Sequence, residues 1–62
     1  MNGMLLQERC EKFLRAYGTP ITKFSRMIGV SASAFHKWRR NNLTFADETM
    51  RRIDAFLTRH GF

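Results

Sequence analysis

The stretch ITKFSRMIGVSASAFHKWRR, residues 21–40, decides how this 62-residue chain folds. It holds two short segments with helical apolar spacing, and Gly29 separates them. In the second segment Phe35 and Trp38 fall on one side of a helix, because residues three apart in sequence are neighbours on its surface. Polar and basic residues collect on the other side. The spacing predicts a helix over 32–40 with an apolar face and a polar face.

The segment before Gly29 predicts a shorter helix of little more than two turns. Thr19 is a favourable N-cap, and Pro20 suits the first helical position because its φ angle is already helical. Ser25 is a small residue where we expect the two helices to approach closely, and Ser31 is a favourable N-cap for the second helix. The inward-facing apolar residues of the shorter helix are Ile21, Phe24 and Ile28.

Two longer amphipathic segments flank this pair. The first is predicted to begin at Asn2 or Gly3 and to end at Gly18. The last is predicted to begin with Thr44 as the N-cap of a capping box and to end at Gly61. Each has apolar residues at i, i+4, i+7 and i+11, the spacing of one buried helix face. These stripes are Leu6, Cys10, Phe13 and Tyr17, and then Ala46, Met50, Ile53 and Leu57.

The pattern of the whole chain predicts an all-α fold. No segment alternates between apolar and polar residues as a strand does. Two short helices joined by a tight turn at a glycine form a helix-turn-helix. We therefore expect one compact four-helix domain over residues 1–62, with the helix-turn-helix at 20–40 as its centre.

Positive charge is concentrated in the middle of the chain. Eleven Lys and Arg residues stand against five Asp and Glu, which gives a formal net charge of +6 and a pI near 10.8. No acidic residue occurs between Lys12 and Ala46, where most of the basic residues lie. A basic field of this kind favours an anionic partner, nucleic acid first and an anionic membrane surface second.

Residue types for catalysis or metal binding are scarce. Cys10 is the single cysteine, and its place in an apolar stripe favours a buried structural thiol over a nucleophile. His36 and His60 lack the spacing of a zinc site. We expect no enzyme activity, no cofactor and no bound metal. The chain also lacks a long apolar run and a signal-peptide pattern, so we expect a cytoplasmic location.

Residues 21–40 resemble the helix-turn-helix of the lambda-repressor/Cro family, also called the XRE type. Ile21 departs from the glutamine that the family often has there, and Phe35 from its usual valine or isoleucine. The resemblance rests on the residues at the core and turn positions of the motif: Phe24, Ser25, Ile28, Gly29, Val30, Ser31, Phe35 and Trp38.

The resemblance implies that the helix 32–40 enters the major groove of double-stranded DNA. The chain would then be a sequence-specific transcription regulator, in particular a repressor, of the size found in phages and other mobile elements. The alternative for this helix is a solvated polar face without a partner. The implied base-reading residues are Ala32, Ser33, His36, Lys37 and Arg40. The implied phosphate contacts are Thr19, Thr22, Lys23, Ser31, Arg39, Asn41 and Asn42.

A homodimer is expected, because regulators of this type usually bind two half-sites as two-fold dimers. Phe56 and Phe62 are the candidate dimer surface, or else they complete the core of a monomer. Two other functions stay open. A protein-interaction module, such as an antitoxin or inhibitor, would depend on Phe56 and Phe62 rather than on Lys37 and Arg40. Binding of nucleic acid by charge alone would show no base preference.

Overall fold

A computed structural model describes residues 5–62 and contains four α-helices, with no β-strand in that range. The helices are α1 (Leu6–Tyr17), α2 (Ile21–Met27), α3 (Ala32–Arg39) and α4 (Asp47–Arg59). The radius of gyration is 10.8 Å, close to the value of ~11 Å expected of a compact domain of this length. The predicted all-α four-helix domain is confirmed.

The predicted ends of the helices are confirmed. Gly18, Gly29 and Gly61 follow α1, α2 and α4, and each has a positive φ angle. Asn41 closes α3 in the same way, with a φ of 63°. Asparagine tolerates this left-handed conformation better than most residues because its short side chain forms local hydrogen bonds. The ends of all four helices can therefore be predicted from residues that tolerate a left-handed backbone.

The predicted starts of two helices are wrong. Thr19 does not cap α2, because its amide completes the end of α1 by donating to the Leu14 carbonyl at 3.3 Å, and Pro20 is the N-cap. Thr44 does not cap α4, whose N-cap is Ala46. The residue before that cap, Phe45, stacks on the ring of Trp38 in α3, which keeps the connection extended for two residues more than the capping box requires.

Of the other two predicted helix starts, that of α3 is confirmed. Ser31 caps α3 as predicted, since its Oγ accepts a hydrogen bond from the Ala34 amide at 3.0 Å. The predicted start of the first helix, at Asn2 or Gly3, lies outside the described residues. Leu5 has extended backbone and precedes α1.

The core is largely the predicted one, and aromatic rings dominate it. Tyr17 departs from its stripe, because 60% of it is exposed although its ring contacts Phe13 and Phe62. Ala46 is also exposed. The buried apolar residues are Cys10, Phe13, Phe24, Ile28, Phe35, Trp38, Ile53 and Leu57.

The helices pack as two pairs, α1 on α4 and α2 on α3. Phe24 of α2 joins the pairs, because its ring contacts Phe13 of α1, Phe35 of α3 and Phe56 of α4, with centroid distances of 5.3, 5.5 and 5.8 Å. The molecule therefore has one core shared by two helix pairs, and the outer face of α3 is left free of it.

Candidate nucleic-acid interface

The two faces of α3 separate as the sequence predicts. Phe35 and Trp38 are only 1% and 2% exposed. On the opposite side Ser33, Lys37 and Arg40 are exposed, and their spacing of four and three residues places them in one line along the helix. This line of one hydroxyl and two cations is called the α3 stripe below. Two other residues predicted to read bases, Ala32 and His36, are half-buried.

The turn between α2 and α3 is closed by backbone hydrogen bonds. The Gly29 amide donates to the Arg26 carbonyl at 3.2 Å, and the Val30 amide donates to the Ser25 carbonyl at 2.9 Å. These two bonds form a Schellman motif, which requires a left-handed residue at Gly29. The φ angle there is 79°. A tight turn of this kind brings α3 back against α2 and keeps the α3 stripe on the outside.

A side chain from α4 also holds this turn. Arg52 donates from Nε to the carbonyl of Ile28, the C-cap residue of α2, at 2.9 Å. Its guanidinium lies over Gly29, since a Cβ built there would come within 3.2 Å of an Arg52 Nη atom. Both the backbone conformation and the close approach of Arg52 therefore favour glycine at this position.

The other end of α3 is tied to α1. Arg39 forms an ion pair with Glu11, and Arg15 lies 3.9 Å from the same carboxylate. Asn41 accepts a hydrogen bond from Gln7 at 3.3 Å. The guanidinium of Arg39, which the sequence predicts as a phosphate contact, is thus directed to a carboxylate of the protein itself.

The remaining residues predicted to contact phosphate differ in their exposure to solvent and in the hydrogen bonds that they already form. Thr22, Lys23 and Asn42 are exposed. Thr19 is half-buried in the connection before α2. Ser31 is exposed, but its hydroxyl already accepts the hydrogen bond that caps α3.

The charge distribution around α3 is one-sided. Neither α2 nor α3 contains an acidic residue. Among residues 5–62 the only cation of these two helices in an ion pair is Arg39. The acidic residues lie on the other helix pair: Glu8 and Glu11 on α1, and Asp47, Glu48 and Asp54 on α4. The surface of positive charge on this helix pair therefore consists of exposed cations with no acidic residue on the same two helices: Lys23, Arg26, Lys37 and Arg40.

The candidate dimer residues Phe56 and Phe62 both pack against the core of their own chain. The Phe13 ring contacts Phe56 at 5.4 Å and Phe62 at 5.6 Å. These contacts match the alternative in which both residues complete a monomer core. The large apolar residues most exposed in the described range lie elsewhere: Leu5, Tyr17, Met27 and Leu43.

The remaining candidates for chemistry are dispersed. Cys10 is buried, and burial raises the pKa of its thiol to about 12 against the smaller opposing effect of Arg9 and Arg39. Such a thiol is protonated and unreactive at neutral pH. Within residues 5–62 no group of three or more His, Cys, Asp or Glu side chains could hold a metal ion. No helix there is long and apolar enough to cross a membrane.

Comparisons with models of protein families, with curated proteins and with solved structures give no match. The resemblance to lambda-repressor/Cro-type domains therefore rests on residues 21–40 themselves.

Sequence reasoning missed the residues that hold α3 in place. Glu11, Gln7 and Arg52 contact it or its turn from α1 and α4, and nothing in the spacing around them signals a contact 24 to 34 residues away. Phe45 did have a local signal. An apolar residue just before an N-cap often packs beside the fourth residue of the helix, here Met50, and both lie against the core.

Proposed function

We propose that this chain is a sequence-specific regulator of transcription that inserts α3 into the major groove of double-stranded DNA. The observation that carries the proposal is the α3 stripe. Ser33, Lys37 and Arg40 are exposed in one line on a helix whose opposite side is fixed by the buried Phe35 and Trp38. A helix of this width fits the major groove, where each base pair presents a distinct pattern of donors and acceptors.

The chemistry of the stripe suits base edges. Lys37 and Arg40 can donate to N7 and O6 of guanine, and Ser33 can donate or accept. Ala32 offers a methyl group to the thymine methyl, and the half-buried His36 offers a ring nitrogen to a purine N7. Discrimination would come mainly from the two cations, since a good bidentate contact is worth about 1–3 kcal/mol against the wrong base.

Phosphate contacts would come from the surface of positive charge beside the stripe. Lys23 and Thr22 on α2 are exposed, and so is Asn42 after α3. Each phosphate that a cation neutralises releases counterions, so the affinity falls as salt is raised. Arg39 is excluded from this set because Glu11 already pairs with it.

One α3 reads only about half of an operator. A homodimer would place two copies of α3 about one helical turn of DNA, ~34 Å, apart. A cytoplasmic regulator as small as those of phages would then act as a repressor, by occupying a site that the transcription machinery needs. Base reading is the part of the proposal that can be tested without knowing the regulated gene.

The test is selection from a random pool of duplex DNA at near-physiological salt, followed by sequencing of the bound fraction. We expect two enriched half-sites related by a dyad. The double variant Lys37→Ala with Arg40→Ala should lose at least tenfold in affinity for the enriched site. The matched control, Arg51→Ala with Arg59→Ala, removes two exposed cations from α4 and should lose only the part due to charge.

The outcomes separate the competing functions. One short enriched site would keep base reading and remove the dimer. Salt-sensitive binding without enrichment would contradict base reading and leave binding by charge alone. Equal loss in both double variants, on every sequence, would lead to the same conclusion. The absence of any binding to DNA would contradict the whole proposal.

A further inference from the structure

We infer that Arg52 of α4 is a positioning residue for DNA reading. Its Nε–H group holds the turn between α2 and α3 and so sets the angle at which the α3 stripe meets the base edges. This inference rests on the proposed function, since it concerns the accuracy with which α3 is presented to DNA.

The contact joins two parts of the chain that share no other side-chain hydrogen bond in the described range. Arg52 is in α4, and it donates to the carbonyl of Ile28. Ile28 is the last residue before the left-handed Gly29. Its guanidinium covers the same glycine. Arg52 forms no ion pair with any acidic residue among residues 5–62. Its contacts in the described structure are therefore directed to the turn rather than to a carboxylate.

Because this contact lies at the turn before α3, a small change of angle there displaces the far end of the helix. An α-helix rises 1.5 Å per residue, so the eight residues of α3 span about 12 Å. A change of ten degrees at the turn would move the far end of α3, near Arg40, by about 2 Å over that length. Hydrogen bonds to base edges tolerate only a few tenths of an ångström. A loosened turn would therefore weaken base discrimination before it unfolded the chain.

The other end of α3 is held by contacts with α1. Glu11 pairs with Arg39, and Gln7 bonds to Asn41. With Arg52 removed, the leading turn of α3 keeps its backbone hydrogen bonds and the helix keeps its buried Phe35 and Trp38, but the turn loses its side-chain contact with α4. We expect the loss of orientation to be larger than the loss of fold.

Three substitutions separate the hydrogen bond from the charge. Counting along the side chain, the amide nitrogen of Gln stands where Nε of Arg stands. Arg52→Gln thus keeps a donor at that point and removes the charge. Arg52→Lys keeps the charge and puts a methylene there. Arg52→Met ends at the same position as Gln and has neither the donor nor the charge. Arg51→Met is the control, because it removes an exposed cation from the same helix.

The experiment measures the affinity of each full-length variant for the selected DNA site and for its single-base-pair variants. All measurements are made at a temperature where circular dichroism shows every variant folded. Arg52→Gln should keep the wild-type ranking of sites. Arg52→Lys and Arg52→Met should lose at least fivefold in preference for the selected site. Their binding to unrelated DNA should change no more than that of Arg51→Met.

Other outcomes overturn the inference. Retention of preference by Arg52→Lys and its loss in Arg52→Gln would mean that the charge contacts a phosphate. An equal drop in affinity on every sequence in all three variants would mean that Arg52 only stabilises the fold. Unchanged ranking in all three would remove Arg52 from recognition while the proposed function stood. A wild-type chain that ranks no sequence above another would overturn both.

Discussion

The α1–α4 pair and the α2–α3 pair are held together in different ways. Between α1 and the C-terminal part of the chain, Arg9 alone donates to the Phe62 carbonyl, to Asp54 and to Thr58. Within α2–α3 the described side-chain hydrogen bonding amounts to the Ser31 cap. The polar ties on α2–α3 come instead from outside, from Glu11, Gln7 and Arg52.

This difference separates a supporting pair, α1–α4, from the pair that carries the α3 stripe, α2–α3. Helices of seven and eight residues are too short to be stable by themselves. They are folded because their aromatic residues complete a core that α1 and α4 provide. Their outer face is then free to carry uncompensated positive charge, which a helix pair folding alone could tolerate less well. The α2–α3 pair can thus keep the α3 stripe exposed while α1 and α4 supply the stability.

The largest loss of stability is expected from removing the ring that contacts both helix pairs. Phe24 is fully buried and contacts rings from α1, α3 and α4. Phe24→Ala should cost about 3–5 kcal/mol. That is comparable with the whole stability of a chain this size, ~3–9 kcal/mol at ~0.05–0.15 kcal/mol per residue. We expect the variant to be largely unfolded in urea titrations followed by circular dichroism.

The control for that variant is Lys37→Ala on the exposed stripe, which should change the stability by no more than about 0.5 kcal/mol. Two separate transitions in the wild-type chain, with one helix pair melting before the other, would show that the pairs do not share one cooperative core.

A smaller effect should appear in the supporting pair at alkaline pH. Burial raises the pKa of the Cys10 thiol from its ordinary value of 9.0 to about 12. Below pH 9 the thiol is protonated in both states, whereas above pH 9 it ionises only in the unfolded chain. The wild-type free energy of unfolding should therefore fall by about 1.4 kcal/mol between pH 7 and pH 10 relative to Cys10→Ala. Urea titrations of both proteins at the two pH values measure this difference.

All other side chains are the same in the two proteins, so their contribution cancels in that comparison. A constant difference between the wild type and Cys10→Ala across the pH range would mean that water reaches the thiol in the folded state.

The smallest effect is expected from Ser25→Ala in the α2–α3 pair. Ser25 is 1% exposed, and its Oγ has no hydrogen-bond partner among residues 5–62. An unpaired buried hydroxyl is destabilising, so Ser25→Ala should raise the stability by about 0.5–1 kcal/mol. Ser25→Val should instead lower it by about 1–3 kcal/mol, because a larger side chain forces α2 away from its neighbours. Thermal unfolding of the three proteins gives both values, and a loss of stability in Ser25→Ala would show that the hydroxyl is bonded in solution.

The sequence predicted those features that depend on neighbouring residues. Apolar spacing located the four helices, and the helix ends at Gly18, Gly29, Asn41 and Gly61 followed because few residues accept a left-handed backbone. The two faces of α3 followed from its periodicity. The two failed helix starts, at Thr19 and Thr44, had good local capping signals. The Thr19 amide is instead bonded to the Leu14 carbonyl at the end of α1. After Thr44, the Phe45 ring stacks on Trp38 before α4 begins.

The contacts that hold α3, and the cations that stay outside ion pairs, follow from the tertiary structure and not from the local sequence. Arg39 and Arg40 are adjacent cations in the sequence, yet Arg39 pairs with Glu11 of α1 and Arg40 is exposed. Arg51 and Arg52 are equally alike in the sequence, yet Arg52 reaches the Ile28 carbonyl. Helix periodicity fixes the direction of a side chain relative to its own helix. The partner that it meets depends on how the helices pack, and that packing is determined by the shared aromatic core.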